Sequence, residues 1–288
     1  MLRPFRVLDP KSIADASAEL RKYGEDAKVY AGGSELLLLI RQGFVQYDYL
    51  VNVKGIPELS KLKWDGNSLQ IGSNVTHGQM ERSAEVREHF PMLQNAESLV
   101  ANIRVRNIGT LGGNLCFGDP HSDPATALLV YNTQAKIAKK DAARSISLEE
   151  FFVGLYETAL EPDEVLTGLD VEPLPQGVGS AYLRVARFER PSISAAVTAS
   201  KKNDQLCCVR IAVGCVGPVP IRLSELESKV EGATLEEGQR IVKEARSYYS
   251  EILEPVDDLH GSAEYKTYMV GVMLSRGLAQ ATGTNGGS

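Results

Sequence analysis

Two glycine-containing segments are the places where this sequence could bind a ligand. They read AGGS at residues 31–34 and TLGGN at residues 110–114. A phosphate group binds to backbone N–H groups that point at it, and glycine lets the chain come close because it has no Cβ. Two such turns could hold both halves of a pyrophosphate. Neither segment matches the dinucleotide or P-loop fingerprint, and a Gly-Gly pair can also form an ordinary tight turn.

The surrounding sequence predicts the elements that position these turns. Lys28 to Ala31 has strand character, and we expect Ser34 to cap a helix over Glu35 to Arg41. After the second turn, Asp123 is predicted to cap a helix that runs from Pro124 to Tyr131. Because the net charge is −6, an anion site must be local and made by amide dipoles rather than by a positive field.

Composition excludes several classes of function. The 288 residues are 24% charged with a net charge of −6, so the chain lacks the basic surplus that binds nucleic acid. No apolar run approaches the roughly 18–20 residues that span a bilayer. The polar N-terminus lacks a secretory pattern, which predicts a cytoplasmic chain with reduced thiols. No spacing supports a hydrolytic triad, so no catalytic residue is predicted.

The four cysteines, Cys116, Cys207, Cys208 and Cys215, form no CxxC pair and none of the usual metal-ligand spacings. We therefore expect no metal or iron–sulfur cluster in this chain. The adjacent pair Cys207-Cys208 is predicted to pack in the core, as free cysteines often do.

The length suggests about two domains, and the Pro- and Gly-rich segment PLPQGVG at residues 173–179 is the best candidate linker. We predict domains over residues 1–176 and 177–288. The second has three strand-like runs followed by two helical stretches: residues 180–188, 193–200 and 207–215, then 234–251 and 263–279.

Five motifs in fixed order give the sequence a family resemblance that covers essentially the whole chain. They are YAGGSELLLLIRQG, YLVNVKGIPEL, LQIGSNVTHGQMERS, RNIGTLGGNLCFGDPHSDPATALL and FFVGLYETALEPDEVL. Together they resemble the FAD-binding medium subunit of the molybdenum hydroxylases, the group that includes carbon monoxide dehydrogenase and xanthine dehydrogenase. The resemblance implies an α+β fold. A two-lobed FAD-binding domain of the vanillyl-alcohol-oxidase/PCMH type, with two α/β subdomains, would precede a small C-terminal domain of the CO dehydrogenase flavoprotein type, with a three-stranded antiparallel sheet and helices.

The resemblance also implies the cofactor-binding residues. The FAD pyrophosphate would lie against the two turns, which contribute Ala31, Gly32, Gly33, Ser34 and Glu35, and Thr110, Gly112, Gly113 and Asn114. Asp123 would accept hydrogen bonds from the ribose or adenosine part of FAD, and Arg184 would lie near the cofactor. From the sequence alone, Asp123 could equally be a plain helix cap and Arg184 a solvated strand residue. His77 is predicted to be structural or capping. Residues 188–193 depart from the family pattern near the isoalloxazine ring, and Glu35 replaces a common Asp.

The function implied is electron transfer. FAD in this chain would receive electrons from a molybdenum-cofactor large subunit through the [2Fe-2S] clusters of a small subunit, in a dimer of heterotrimers, and pass them to an external acceptor. One alternative is a self-sufficient FAD-dependent reductase or oxidase on the same fold. Another is a non-catalytic nucleotide-binding protein whose flavin site has decayed.

Overall fold

The computed structural model describes residues 4–186 and 190–283. Its first lobe is a three-stranded parallel sheet with two helices. The elements are β1 (Arg6–Leu8), α1 (Ile13–Tyr23), β2 (Ala27–Tyr30), α2 (Leu36–Gln42) and β3 (Tyr49–Asn52). The strand order is β1-β3-β2, so β3 lies in the centre. Helix α1 begins where the Ser12 hydroxyl accepts a hydrogen bond from the Asp15 amide, and it buries Ala16 and Leu20 against the sheet.

The second lobe places six short helices against an antiparallel sheet. Its elements are β4 (Leu62–Trp64), β5 (Leu69–Gly72), α3 (His77–Arg82), α4 (Ala84–His89), α5 (Pro91–Ser98), α6 (Ile103–Ile108), α7 (Leu111–Phe117), α8 (Asp123–Leu128), β6 (Thr133–Lys139), β7 (Ala142–Ser147), a small ribbon of β8 (Phe152–Gly154) with β9 (Glu157–Thr158), and β10 (Val165–Val171). The sheet order is β4-β5-β10-β6-β7. These two lobes confirm the predicted two-part first domain.

The C-terminal part is an antiparallel sheet covered by helices. It contains β11 (Gly179–Ala186), β12 (Pro191–Lys202), β13 (Gln205–Gly214), β14 (Ile221–Arg222), α9 (Ser224–Val230), α10 (Leu235–Glu244), α11 (Arg246–Ile252) and α12 (Ala263–Ala281). The sheet has four strands rather than the predicted three, because the two-residue β14 pairs with β13. So short a strand has no alternation pattern to recognise. The end of the first predicted strand, residues 187 and 188, lies outside the described residues.

The helix predicted over residues 234–251 is two helices. It breaks at Ala245, and the buried Tyr249 hydroxyl donates to the carbonyl of Val242 at 2.6 Å. That carbonyl would accept from the Arg246 amide in an unbroken helix, so the side chain takes over the role of the missing backbone bond.

The prediction that Cys207 and Cys208 pack in the core is wrong: Cys208 is exposed, and Cys207 is only half-buried. The pairing of β12 with β13 shifts at this point, and Cys208 adopts a φ of +55°. The Glu231 carboxylate accepts hydrogen bonds from the amides of Cys208 and Val209, at 3.0 and 2.9 Å. A bulge of this kind turns a side chain outward that regular alternation would bury. Among the described residues, no helix combines the length and apolar character needed to cross a bilayer.

Candidate functional site

The first glycine turn has hydrogen-bond donors that find no partner among the described residues. The chain leaves β2 at Tyr30 and enters α2 after Glu35, passing through Gly33 at a φ of +76°, which glycine adopts without strain. Within residues 4–186 and 190–283, no group accepts a hydrogen bond from the amides of residues 32–35. The Ser34 hydroxyl is also buried with no partner. An anionic oxygen would satisfy several of these donors at once.

Ser34 is not the helix cap that its residue type predicts. Helix α2 begins one residue later, with Glu35 in the cap position and no side-chain cap bond. The first helical hydrogen bond runs from the Leu37 amide to the Gly33 carbonyl, so the turn itself leads directly into the helix. The hydroxyl of Ser34 is therefore not used to cap the helix.

The second glycine turn differs, because its amides already donate within the protein. Leu111 donates to the Val75 carbonyl at 2.9 Å, and Gly112 donates to the Ser73 carbonyl at 3.1 Å. The Gly113 and Asn114 amides donate to the Thr110 hydroxyl and carbonyl, which cap α7. The second set of free amides expected from the sequence is therefore absent from this turn. The Asn114 side chain accepts from the Ser122 hydroxyl through its oxygen at 2.5 Å, and its NH₂ group is a side-chain donor on this turn.

Two of the glycines are required by contacts inside the protein. A Cβ on Gly32 would lie 2.2 Å from the Ile108 carbonyl oxygen and 2.8 Å from the Cα of Gly109. A Cβ on Gly112 would lie 2.4 Å from the Cβ of Ser73. Gly32 thus lets the first turn pack on the backbone that leads into the second, and Gly112 lets the second turn pack on the loop after β5. Both glycines therefore have a structural role in addition to the approach of a phosphate that their sequence context indicates.

Asp123 lies at the centre of a buried group of polar side chains. It is 4% exposed; its Oδ1 accepts from the Tyr182 hydroxyl at 2.6 Å and its Oδ2 from Arg184 Nη1 at 2.9 Å. Arg184 also donates to the Leu99 carbonyl at 3.0 Å, so it is not a solvated strand residue. Ser122, not Asp123, caps α8. Burial raises the pKa of Asp123 to about 6, although Tyr182 and Arg184 both act to lower it.

Two residues near this group, Tyr182 and Glu97, have no role predicted from the sequence. Tyr182 and Arg184 are two positions apart on β11, so they share a face, and that spacing could have identified Tyr182. Glu97 lies on the inner side of α5 and is fully buried. Its carboxylate oxygen Oε2 lies 2.6 Å from His77 Nδ1, within hydrogen-bond distance, and the His77 amide donates to the Gly109 carbonyl. His77 is structural, as predicted, but Thr76 rather than His77 caps α3.

Glu35 is engaged in an ion pair beside the first turn. Its Oε1 accepts from Arg190 Nη2 at 3.2 Å, and Arg190 Nη1 donates to Asp119 at 2.6 Å. Burial opposes the ionisation of Asp119, yet the hydrogen bond from His121 and the charge of Arg190 hold its pKa below the usual value. In the divergent segment 188–193, residues 188 and 189 lie outside the described residues. Arg190 joins the flanks of the two glycine turns.

Comparison with known proteins places this arrangement in a family. The model for the "FAD binding domain in molybdopterin dehydrogenase" matches residues 3–174, and that for the "CO dehydrogenase flavoprotein C-terminal domain" matches residues 189–281. The chain belongs to the FAD-binding subunits of the molybdenum hydroxylases. The carbon monoxide dehydrogenase medium chain of Hydrogenophaga pseudoflava is 32% identical to it, with 96% of each chain covered.

Other relatives support the same family. The nicotine 6-hydroxylase medium subunit of Paenarthrobacter nicotinovorans is 31% identical, with 97% of this chain and 98% of that protein covered. The structure of the carbon monoxide dehydrogenase from Hydrogenophaga pseudoflava matches with a TM-score of 0.93 at 31% identity, over 99% of this chain and 100% of that one. The expected family and fold class are confirmed.

The residues of this FAD-binding subunit fit the cofactor. The unpartnered Ser34 hydroxyl and the neighbouring amides form the donor set that a pyrophosphate needs. Asp123 offers buried carboxylate oxygens that retain lone pairs after binding Tyr182 and Arg184. The fit is strongest at the first turn, where the donors are not used by the protein.

Proposed function

We propose that this chain binds FAD between the two glycine turns and transfers electrons from an iron–sulfur subunit to an external acceptor. The pyrophosphate lies on the first turn, against Ala31, Gly32, Gly33 and Ser34 with Glu35 flanking them. The second turn lies on the other side of the pyrophosphate and contributes Thr110, Gly112, Gly113 and Asn114. Asp123 accepts from the ribose or adenosine part, and Arg184 lies beside it. The observation that carries this proposal is the buried Ser34 hydroxyl without a partner, next to four amides that no described residue accepts from.

FAD, when bound, supplies the redox chemistry, and the protein supplies binding, orientation and electrostatics. The first turn binds the pyrophosphate through neutral donors, which suits a chain whose net charge is −6. Buried Asp123 and half-buried Arg184 form an ion pair at 2.9 Å and so hold their side chains in one orientation. The chain therefore contributes a rigid binding site and needs no acid–base residue for electron transfer.

We further propose the partner subunits. Relatives are described as medium chains or subunits, among them those of carbon monoxide dehydrogenase and nicotine 6-hydroxylase, and one matching structure is a Cu,Mo-CO dehydrogenase. By analogy, this chain joins a large subunit with the molybdenum cofactor and a small subunit with [2Fe-2S] clusters, as a dimer of heterotrimers. The four free cysteines favour a cytoplasmic location. These relatives favour a subunit over the self-sufficient reductase or oxidase.

A pair of glycine variants tests the FAD site. Gly33 and Gly43 flank α2 at φ values of +76° and +81°, so alanine has similar backbone strain at either position. A Cβ on Gly33 would also lie 2.5 Å from Tyr30 Cε2, whereas one on Gly43 meets no described atom within 4 Å. Urea denaturation of both flavin-free variants therefore accompanies the titration, to separate a loss of structure from a loss of FAD affinity. Only Gly33 belongs to the proposed site. We expect the wild-type chain and Gly43→Ala to bind FAD in a flavin-fluorescence titration and Gly33→Ala to lose at least about tenfold in affinity.

The outcomes separate the hypotheses. A wild-type chain that binds no FAD, alone or purified with its partners, would overturn the proposal and favour the decayed site. Equal affinity of Gly33→Ala and Gly43→Ala would place the pyrophosphate elsewhere. An active monomer free of molybdenum and iron would support the self-sufficient enzyme.

A further inference from the structure

The hydroxyl of Tyr182 connects the C-terminal domain to the carboxylate of Asp123. Tyr182 lies on β11, whereas Asp123 begins α8 in the FAD-binding domain, and the two oxygens are 2.6 Å apart. Both side chains are buried, with 6% and 4% of their surface exposed. A hydrogen bond to a buried carboxylate fixes its orientation, because water cannot replace a lost donor there.

The position of this hydroxyl is itself fixed by a chain of buried hydrogen bonds. Ser194 on β12 lies near the Tyr182 hydroxyl, and its own hydroxyl contacts Thr126 of α8 at 2.9 Å and Cys215 at 3.3 Å. Burial raises the pKa of Tyr182 well above its usual value, so the hydroxyl keeps its proton and remains a donor. The Tyr182 hydroxyl therefore directs its proton to Asp123 Oδ1.

We propose that Tyr182 is a positioning residue of the FAD site, whose hydroxyl orients the Asp123 carboxylate toward the cofactor. The inference rests on the proposed function, in which Asp123 accepts hydrogen bonds from FAD. Tyr182 occupies one lone pair of Oδ1 and Arg184 one of Oδ2, which leaves the remaining lone pairs at defined positions. The C-terminal domain thereby completes a site whose glycine turns belong to the other domain.

The charged surroundings of Asp123 make this role measurable as a function of pH. Tyr182 and Arg184 face it from β11, and both lower its pKa, while burial and the charge of Glu97 on α5 raise it to about 6. Glu97 in turn holds His77 of α3. Cys215, beyond Ser194, is a buried thiol whose pKa burial raises, so it remains neutral. Without the Tyr182 hydroxyl, Asp123 takes up its proton at a higher pH.

The test is an FAD titration of the full-length chain, followed by flavin fluorescence from about pH 5 to about pH 8. Tyr182→Phe is compared with Tyr249→Phe, a matched control. Tyr249 is buried in the same domain, and its hydroxyl also donates at 2.6 Å, but to the carbonyl of Val242. At neutral pH we expect Tyr182→Phe to weaken FAD binding about tenfold and Tyr249→Phe to leave it unchanged. The wild-type affinity falls as the pH drops through about 6, and in Tyr182→Phe this fall occurs at higher pH.

The shift of the pH profile separates positioning from a loss of structure, which would weaken binding equally at every pH. If wild type binds FAD and Tyr182→Phe matches Tyr249→Phe in affinity and profile, the inference is wrong while the proposed function stands. If wild type binds no FAD, both are wrong. If Tyr182→Phe fails to fold, the same titration is made with Asp123→Asn. The FAD affinity of this variant should no longer decrease as the pH drops through about 6, and a pH profile like that of wild type would overturn the inference.

Discussion

The two glycine turns resemble each other in sequence and differ in how the protein uses their hydrogen-bond donors. At the first turn, the amides of residues 32–35 donate to no acceptor in the described parts of the chain, and the Ser34 hydroxyl is buried there without a partner. At the second, the amides of residues 111–114 all donate to protein oxygens. The first turn is therefore the part to which we assign ligand binding, and the second is a structural element whose amides are used by the protein. Backbone bonding, rather than glycine content, separates the two roles.

The largest expected effect comes from the structural role of the second turn. In Gly112→Ala, the new Cβ would lie within 2.7 Å of the Cβ, oxygen and Cα of Ser73, so the turn must move. We expect the free energy of unfolding of the flavin-free chain to fall by about 3 kcal/mol or more, measured by urea denaturation. The neighbouring Gly113→Ala is the control, because its Cβ would meet only the Thr110 hydroxyl, and it should change stability by less than about 1 kcal/mol. Equal effects would mean that the second turn is not braced by Ser73.

Asp123 provides the second prediction, which concerns buried charge after the second turn. Its pKa is raised from 3.8 to about 6 by burial, which corresponds to about 3 kcal/mol. A raised carboxyl pKa stabilises the folded chain most below the unfolded pKa, and this stabilisation is lost as the pH rises through about 6. The free energy of unfolding of wild type relative to Asp123→Asn should therefore fall by about 2–3 kcal/mol between about pH 4 and pH 7.5. A difference that does not vary with pH would contradict the raised pKa.

Ser34→Ala tests the ligand-binding role of the first turn. The variant removes a buried hydroxyl that has no protein partner, so the unfolding free energy of the flavin-free chain should not fall. FAD affinity should drop about tenfold, or about 1.4 kcal/mol, in a fluorescence titration. Thr110→Val is the counterpart at the second turn: it removes the cap of α7 and should lower stability by about 1 kcal/mol. The comparison fails if Ser34→Ala destabilises the chain and leaves FAD affinity intact.

Sequence alone predicted the family, the fold class and the presence of both turns, because these depend on ordered motifs and local periodicity. It could not predict which amides are free, because the amides of Leu111 and Gly112 donate to the carbonyls of Val75 and Ser73, in the loop after β5, which is far away in the sequence. It also missed Tyr182, whose importance depends on a contact with Asp123 59 positions away in the chain. The cap of α8 was wrong by one residue, because Ser122 and Asp123 are both good caps and only tertiary contacts decide between them. The residue types in each turn were therefore readable from the sequence, whereas the different use of the backbone amides in the two turns depends on tertiary contacts.

The smallest expected effect concerns Arg190, the charged link between the flanks of the turns. Arg190 pairs with Glu35 and Asp119, but its side chain is 46% exposed, so solvent screens the interaction. Arg190→Gln should lower the free energy of unfolding by less than about 1 kcal/mol, with a smaller loss in high salt, as urea denaturation at two salt concentrations will show. Arg240→Gln, which breaks the exposed pair with Glu244 inside α10, is the control and should change stability by a few tenths of a kcal/mol, about as other exposed helix pairs do. FAD affinity should fall less than about threefold, because the backbone contact of Gly32 with Ile108 and Gly109 already joins the turns. A tenfold loss would instead make charge, rather than close packing of the backbone, the coupling between the two turns.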